Sequence, residues 1–163
     1  GDALTSIENV IGSIYNDTLT ATATGNNTLT GGGGNDNYVF GASFGQDTIN
    51  NLSPTGTSAN GKVTFGSGIT KNKLWFEKSG NDLRIDLMGT NNTITIAGWY
   101  GANASAQVAS FNSSDGLKVN SQIAQLVSAM ASYSAGHAGF NPQTSSVMPA
   151  DASLQAAIAA AWS

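Results

Sequence analysis

Cysteine is missing altogether from the 163 residues, and that one absence removes two chemistries. No disulfide can staple the chain, and no thiolate zinc site can form. Charge is scarce as well: 10% of residues are Asp, Glu, Lys or Arg, and the net charge is -4. A nucleic-acid partner requires a dense basic face to neutralise phosphates, so that class is excluded. Histidine occurs once, as His137, among Gly, Ala and Ser, with no partner at metal-ligand or triad spacing. No apolar run approaches the ~18 residues of a spanning helix, so no stable membrane span is expected. The opening residues lack a basic stretch followed by an apolar run, which predicts that any export address lies elsewhere than in a cleavable leader. No G-x-S-x-G elbow occurs, and Asp82 and Asp86 read as surface positions beside a strand turn and not as a catalytic pair. The chain is expected not to be an enzyme.

What is present is small and polar. There are 20 glycines and 40% apolar residues, with Thr, Ser and Asn filling much of the remainder. Such a composition suits short strands and tight turns. The length allows one domain with a modest core, or a repeat stack with a cap. Three regions follow one another. Residues 1–52 are short apolar beats separated by Gly, Asn and Asp. Residues 53–135 hold longer alternating strands and then, over 120–135, helical spacing. Residues 136–163 read as a Gly-, Pro- and Ser-containing link and a helical tail. Beginning in mid-pattern at Gly1-Asp2, the sequence reads as part of something longer.

The first region repeats. Gly12–Thr20 (GSIYNDTLT), Thr22–Thr30 (TATGNNTLT) and Gly31–Val39 (GGGGNDNYV) align, placing Asp17, Asn27 and Asp36 two residues before Leu19, Leu29 and Tyr38. Weaker copies end in Gly45-Gln46-Asp47-Thr48-Ile49 and begin at Gly1-Asp2-Ala3-Leu4. The period is about nine residues, with one extra residue at Ala21, and matches the nonapeptide of a parallel β-roll. A triplet such as Thr18-Leu19-Thr20 makes a short strand with its middle side chain inward, and the Gly/Asn/Asp stretch turns the chain back. Two units complete a coil of roughly 18 residues. Turns on one edge then stack two units apart, so Asp36 is expected over Asp17 and Asp47 over Asn27.

Stacked carboxylates repel each other unless a counter-charge lies between them. A hard divalent cation removes that cost and accepts roughly six to eight oxygen ligands, carboxylates mixed with main-chain carbonyls. These turns therefore point to calcium, which tolerates irregular geometry better than magnesium does. One site is expected between Asp17 and Asp36, with carbonyls near Gly12, Ile14, Gly32 and Gly34. A second, weaker site would use Asn27 and Asp47 with carbonyls near Thr22, Thr24 and Gly45, because Asn27 offers only a neutral oxygen. A third would join Asp2 to Asp17 across a separation short for a regular coil.

The stretches Gly31–Ile49 (GGGGNDNYVFGASFGQDTI) and Lys73–Tyr100 (KLWFEKSGNDLRIDLMGTNNTITIAGWY) resemble the end of the repeat block in repeats-in-toxin (RTX) proteins. They are similar in particular to the last block and flanking cap of the bacterial adenylate cyclase toxins. The likeness runs to about Tyr133. It implies a chain that is unfolded without calcium and folds with it. It also implies export by type I secretion through an ABC transporter, a membrane fusion protein and an outer-membrane channel. The destination would be the exterior or cell surface of a Gram-negative bacterium.

The expected fold is therefore mostly β: a short parallel β-roll, a β-rich cap, one packed amphipathic helix and a C-terminal helical tail. Leu83, Ile85 and Leu87 alternate with polar neighbours, and Ser79-Gly80-Asn81 reads as a turn back to Leu74-Trp75-Phe76. Trp75, Phe76, Trp99 and Tyr100 are expected to seal the stack. Five of the six basic residues lie between Lys62 and Arg84 and read as solvated. Ile123, Leu126, Val127 and Met130 share one helical face, with Asn120 able to cap its start and Gly136 to end it. Asp151 is expected to cap a tail helix whose Leu154, Ile158 and Trp162 align, and this tail is read as an uncleaved secretion signal. The function expected is a calcium-dependent folding and export module, a monomer. The alternative is an extracellular carbohydrate- or surface-binding module of an adhesin or a polysaccharide-modifying protein, which exposed Trp75 and Trp99 would favour.

Overall fold

The structure, a computed structural model, describes residues 9–21, 25–56 and 60–163. It is mostly β, the described residues forming eleven strands in two mixed sheets and two α-helices. The first strands in chain order are β1 (Asn9–Ile11), β2 (Thr18–Thr20), β3 (Thr28–Thr30), β4 (Asn37–Phe40), β5 (Gln46–Asn50) and β6 (Asn60–Phe65). They alternate between sheets. β1, β3 and β5 pair side by side in parallel in one sheet, and β2, β4 and β6 do the same in the other. Each pairing joins residues about nineteen to twenty-five apart, so every strand is covered by the strand two further on.

The short strands need little to define them. In Thr-Leu-Thr the β-branched flanks favour extended backbone and the leucine turns inward. Register then builds two apolar columns. Val10, Leu29, Ile49 and Ile96 align in the first sheet, and Leu19, Tyr38, Val63 and Phe111 in the second. Leu29, Tyr38, Ile49, Val63, Ile96 and Phe111 are essentially inaccessible. Burying each such side chain stabilises by roughly 1.5–3 kcal/mol.

The sheets do not stop at residue 52. β7 (Leu74–Ser79) and β8 (Asp82–Leu87) form an antiparallel hairpin across Gly80-Asn81, and β8 pairs with β9 (Thr93–Ile96). β9 lies parallel to β5, so the hairpin is added to the growing first sheet. β10 (Val108–Asn112) lies parallel to β6, and the short β11 (Lys118–Val119) closes the second sheet in antiparallel fashion. Repeat region and cap thus share continuous sheets.

Helix α1 (Ile123–Gly136) buries Ile123, Leu126, Val127 and Met130. Its start differs from the expectation at Asn120. The Asn120 carboxamide oxygen accepts from the Ser121 amide at 2.6 Å, and Gln122 stands at the cap without a side-chain bond. Helix α2 (Ala152–Ala161) is capped by Asp151, whose Oδ1 accepts from the Leu154 amide at 2.8 Å. Leu154, Ile158 and Trp162 are buried, and α2 packs against α1.

The stretch 136–150 is tied down where a loose link was expected. Phe140 sits 4.5 Å from Trp75 ring to ring, Met148 is buried, and the Gly89 amide donates to the Pro142 carbonyl at 2.9 Å. Phe140 and Met148 supply apolar anchors and the Pro142 and Ser146 carbonyls accept from Gly89 and Lys73, while Val147 stays exposed. His137, expected as a tail residue, stacks on Tyr133 at 4.0 Å.

Trp75, Phe76 and Trp99 are buried, Trp75 at 1% exposure, and Tyr100 is half-buried beneath Lys78 Nζ, 4.8 Å from its ring centroid. The exposed tryptophans that would favour a glycan platform are not present. Asp86, expected at the surface, is wholly buried opposite Trp75 and Thr93. Its Oδ1 accepts from Arg84 Nε and Nη2, so Arg84 is an ion-paired residue and not a freely solvated one. Among the described residues, no helix is long and apolar enough to cross a membrane.

Candidate metal centre

The β2–β4 pairing sets Thr18 beside Asn37, which brings the residues just before them, Asp17 and Asp36, onto one edge. The Asp17 amide donates to Asp36 Oδ1 at 3.0 Å. Asp17 is half-buried, and its Oδ2 accepts from the Ser13 amide at 2.6 Å and the Ser13 hydroxyl at 2.9 Å. Asp36 is only 2% exposed. Burial holds its carboxyl above the usual range, and the charge of Asp17 adds to that while the Asp17 amide opposes it. Among the described residues, neither carboxylate forms a salt bridge.

The turns themselves lie one on the other. Gly33 N donates to the Ser13 carbonyl at 2.9 Å, and Asn35 N donates to Asn16 Oδ1 at 2.7 Å. Gly32 (φ +89°) and Gly34 (φ +96°) adopt the left-handed conformation that only glycine enters cheaply. A Cβ on Gly32 would strike the Ser13 carbonyl, and one on Gly12 would lie 2.5 Å from the Gly31 carbonyl and 2.8 Å from Asp17 Oδ2. The Ile14 carbonyl lies beneath Gly33, while the Ile14 side chain is exposed. The carbonyls expected near Gly12 and Ile14 are thus close to the upper turn, where Gly32 and Gly34 sit.

The second pair is arranged differently. Both the amide and Nδ2 of Asn27 donate to Asp47 Oδ1, at 2.7 and 2.8 Å. Asn27 is thus a double donor to Asp47 here, and these two bonds leave its side-chain oxygen uncommitted. Asp47 is 1% exposed, its carboxyl is raised chiefly by burial, and its Oδ2 has no hydrogen-bond partner. Gly45 (φ +84°) lies against the Gly25 carbonyl. Thr22, Thr24 and Asp2, expected to contribute to the second and third sites, lie outside the described residues.

The residues fit a hard divalent cation: at the first pair two carboxylates on neighbouring turns with main-chain carbonyls around them, and at the second the buried Asp47 Oδ2 without a hydrogen-bond partner. Among the described residues, no three His, Cys, Asp or Glu side chains cluster, so carbonyls would supply most of the coordination.

Three contributors escaped the sequence reading. Ser13 anchors Asp17, and Asn16 and Asn26 each reach the coil above, Asn26 Oδ1 accepting from Gln46 N at 3.2 Å. The signal was present, since an amide residue precedes each turn acid or its replacement: Asn16-Asp17, Asn26-Asn27, Asn35-Asp36, Gln46-Asp47. The sequence matches no known protein-family model.

Proposed function

We propose that the chain is a calcium-folded export module of the RTX kind and that its alternating parallel strands form a β-roll. The observation that carries this reading is Asp36 stacked over Asp17 on a glycine-built turn edge, with no counter-charge from the described residues. Calcium would be held at the first site by Asp17 and Asp36 with carbonyls of the Gly12–Ile14 and Gly32–Gly34 turns. At the second it would be held by Asp47 with turn carbonyls. When bound, the ion supplies the positive charge that lets both carboxylates remain ionised in the folded state.

Mass action then makes folding conditional. At calcium far below the ~0.1–1 mM affinities of extracellular modules, the repulsion between turns keeps the stack open and the chain can be threaded. Outside the cell the ion closes it. Helix α2 buries Leu154, Ile158 and Trp162, so its apolar face is available to an ABC transporter only before folding. Transporter, membrane fusion protein and outer-membrane channel would thus meet an open chain. The product is a secreted or surface-held monomer without catalytic activity.

Circular dichroism and calorimetry test this directly. Chelated protein should lack the β signal, and calcium should restore it with saturable binding, whereas magnesium at equal concentration should not. An unchanged β spectrum in chelator would falsify the reading. Deleting residues 151–163 should abolish export of the chain from cells carrying a type I apparatus while leaving calcium binding detectable.

A further inference from the structure

On the outer face of the first sheet, the register lines up polar side chains that the calcium reading leaves unused. Thr48, Thr95 and Arg84 are direct cross-strand neighbours, and Gln46, Thr93 and Asp86 form the adjacent row. Thr48, Thr93, Thr95, Arg84 and Gln143 border an open cleft of about 610 Å³, with Asp47, the acid of the proposed second calcium site, at its edge. Its floor is rigid sheet. Its far wall is the tied-down 136–150 segment, which delivers Gln143.

The chemistry of the cleft is restricted. Hydroxyls and carboxamides dominate it, which does not suit an apolar ligand. Arg84 is its only cationic lining residue, and that guanidinium is already claimed. Nε and Nη2 donate to Asp86 Oδ1 at 3.1 and 2.7 Å, and Glu77 Oε1 lies 3.4 Å from Nε. With Asp86 and Glu77 facing Arg84, and the lining carboxylate Asp47 set against the calcium it would hold, no net positive charge is left to attract an anionic ligand. The guanidinium is nevertheless held in one orientation by its partners, and Nη1 is bound to neither carboxylate. A fixed donor beside rows of threonine hydroxyls and glutamine amides presents alternating donors and acceptors at strand spacing, about 4.8 Å. The volume lies within the ~300–1,000 Å³ of ligand clefts.

We infer that this cleft binds a neutral oligosaccharide, reading its hydroxyls through Thr48, Thr95, Gln143 and the pinned Arg84. Aromatic stacking plays no part, since Trp75 and Trp99 are buried. Asp86 and Glu77 are positioning residues that hold Arg84 and do not touch the sugar.

The test is an amide-resolved NMR titration of the full chain in calcium-containing buffer, with maltohexaose and cellohexaose as neutral probes and hexagalacturonate as the anionic one. The spectrum itself reports whether the chain is folded, so failure here leaves the calcium reading standing. A neutral hexasaccharide should cause saturable shifts at Thr48, Thr93, Thr95, Arg84 and Gln143. The double variant Thr48→Val, Thr95→Val keeps both β-branched shapes and removes both hydroxyls. It should weaken binding at least tenfold with the rest of the spectrum unchanged. The inference is overturned by saturable shifts centred elsewhere, by tighter binding of the uronate, or by no saturable shift with either neutral probe.

Discussion

The amide of Asp17 donates a 3.0 Å hydrogen bond to the carboxylate of Asp36, nineteen residues further along the chain. The contact makes the two turns a unit, yet it also fixes two acidic side chains on one edge. Burial of Asp36 and the charge of Asp17 both oppose ionisation there. The same arrangement that orders the turn therefore stores a repulsion that a cation can relieve.

Neutralising Asp36 should separate these effects. In Asp36→Asn the carboxamide oxygen can still accept from Asp17, while the buried charge is gone. The calcium concentration for half-maximal β signal should rise at least tenfold, which corresponds to about 1.4 kcal/mol. In chelator, residual β structure should be equal to or greater than that of the parent. Circular dichroism across a calcium series reads both effects.

Acid should favour the metal-free fold. Asp36 and Asp47 are both raised from an ordinary value of 3.8, so just above that pH the folded chain holds more protons than the unfolded chain. Folded stability contributed by these groups is full below 3.8 and is lost as pH rises through their raised values. Chelated protein should therefore gain structure when titrated downward toward pH 4. Calcium affinity should move the other way and fall over the same window, because protons compete for the carboxylates. Chelated protein that loses structure on acidification would contradict the assignment.

Glycine at position 32 should be hard to replace. Its φ of +89° and its position above the Ser13 carbonyl leave no room for a Cβ. Gly32→Ala should destabilise the calcium-loaded protein by more than the ~1–2 kcal/mol of the left-handed conformation alone. Gly41 provides the control: it is exposed and a Cβ there meets nothing within 4 Å, so Gly41→Ala should stay within about 0.5 kcal/mol. Thermal midpoints at fixed calcium decide between them.

Trp75 anchors the far edge. It is buried against Phe140 and Tyr133, at 4.5 and 6.0 Å between ring centroids. Trp75→Ala should cost about 3–5 kcal/mol, the range for emptying a large aromatic site. It should also free the 136–150 segment, so the Gly89 amide, bonded to Pro142, should lose hydrogen-exchange protection before the β2–β4 amides do.

Much of this molecule could be read from local pattern. The inward Leu19, Leu29 and Tyr38, the stacking of Asp36 on Asp17, the buried face of α1 and the cap at Asp151 all follow from spacing. A strand repeats every two residues, a helix every 3.6 or so, and a coil at fixed length puts like on like. Those periods are properties of the backbone and are written into the order of residues.

Other features were decided only when distant segments met. Whether Asp86 is surface or core depends on Trp75 and Thr93 lying to either side of it, and on Arg84 folding back to pair with it. That Asn27 donates twice to Asp47 depends on how two turns twenty residues apart are oriented. Strand β9 joins β5 across Ile49 and Ile96, and the 136–150 segment loses its freedom to Trp75. None of these leaves a periodic trace, because closing a long loop is repaid only by contacts at its far end. The sequence by itself set the periods and the inward faces; the tertiary structure chose which polar groups were buried, and with what partners.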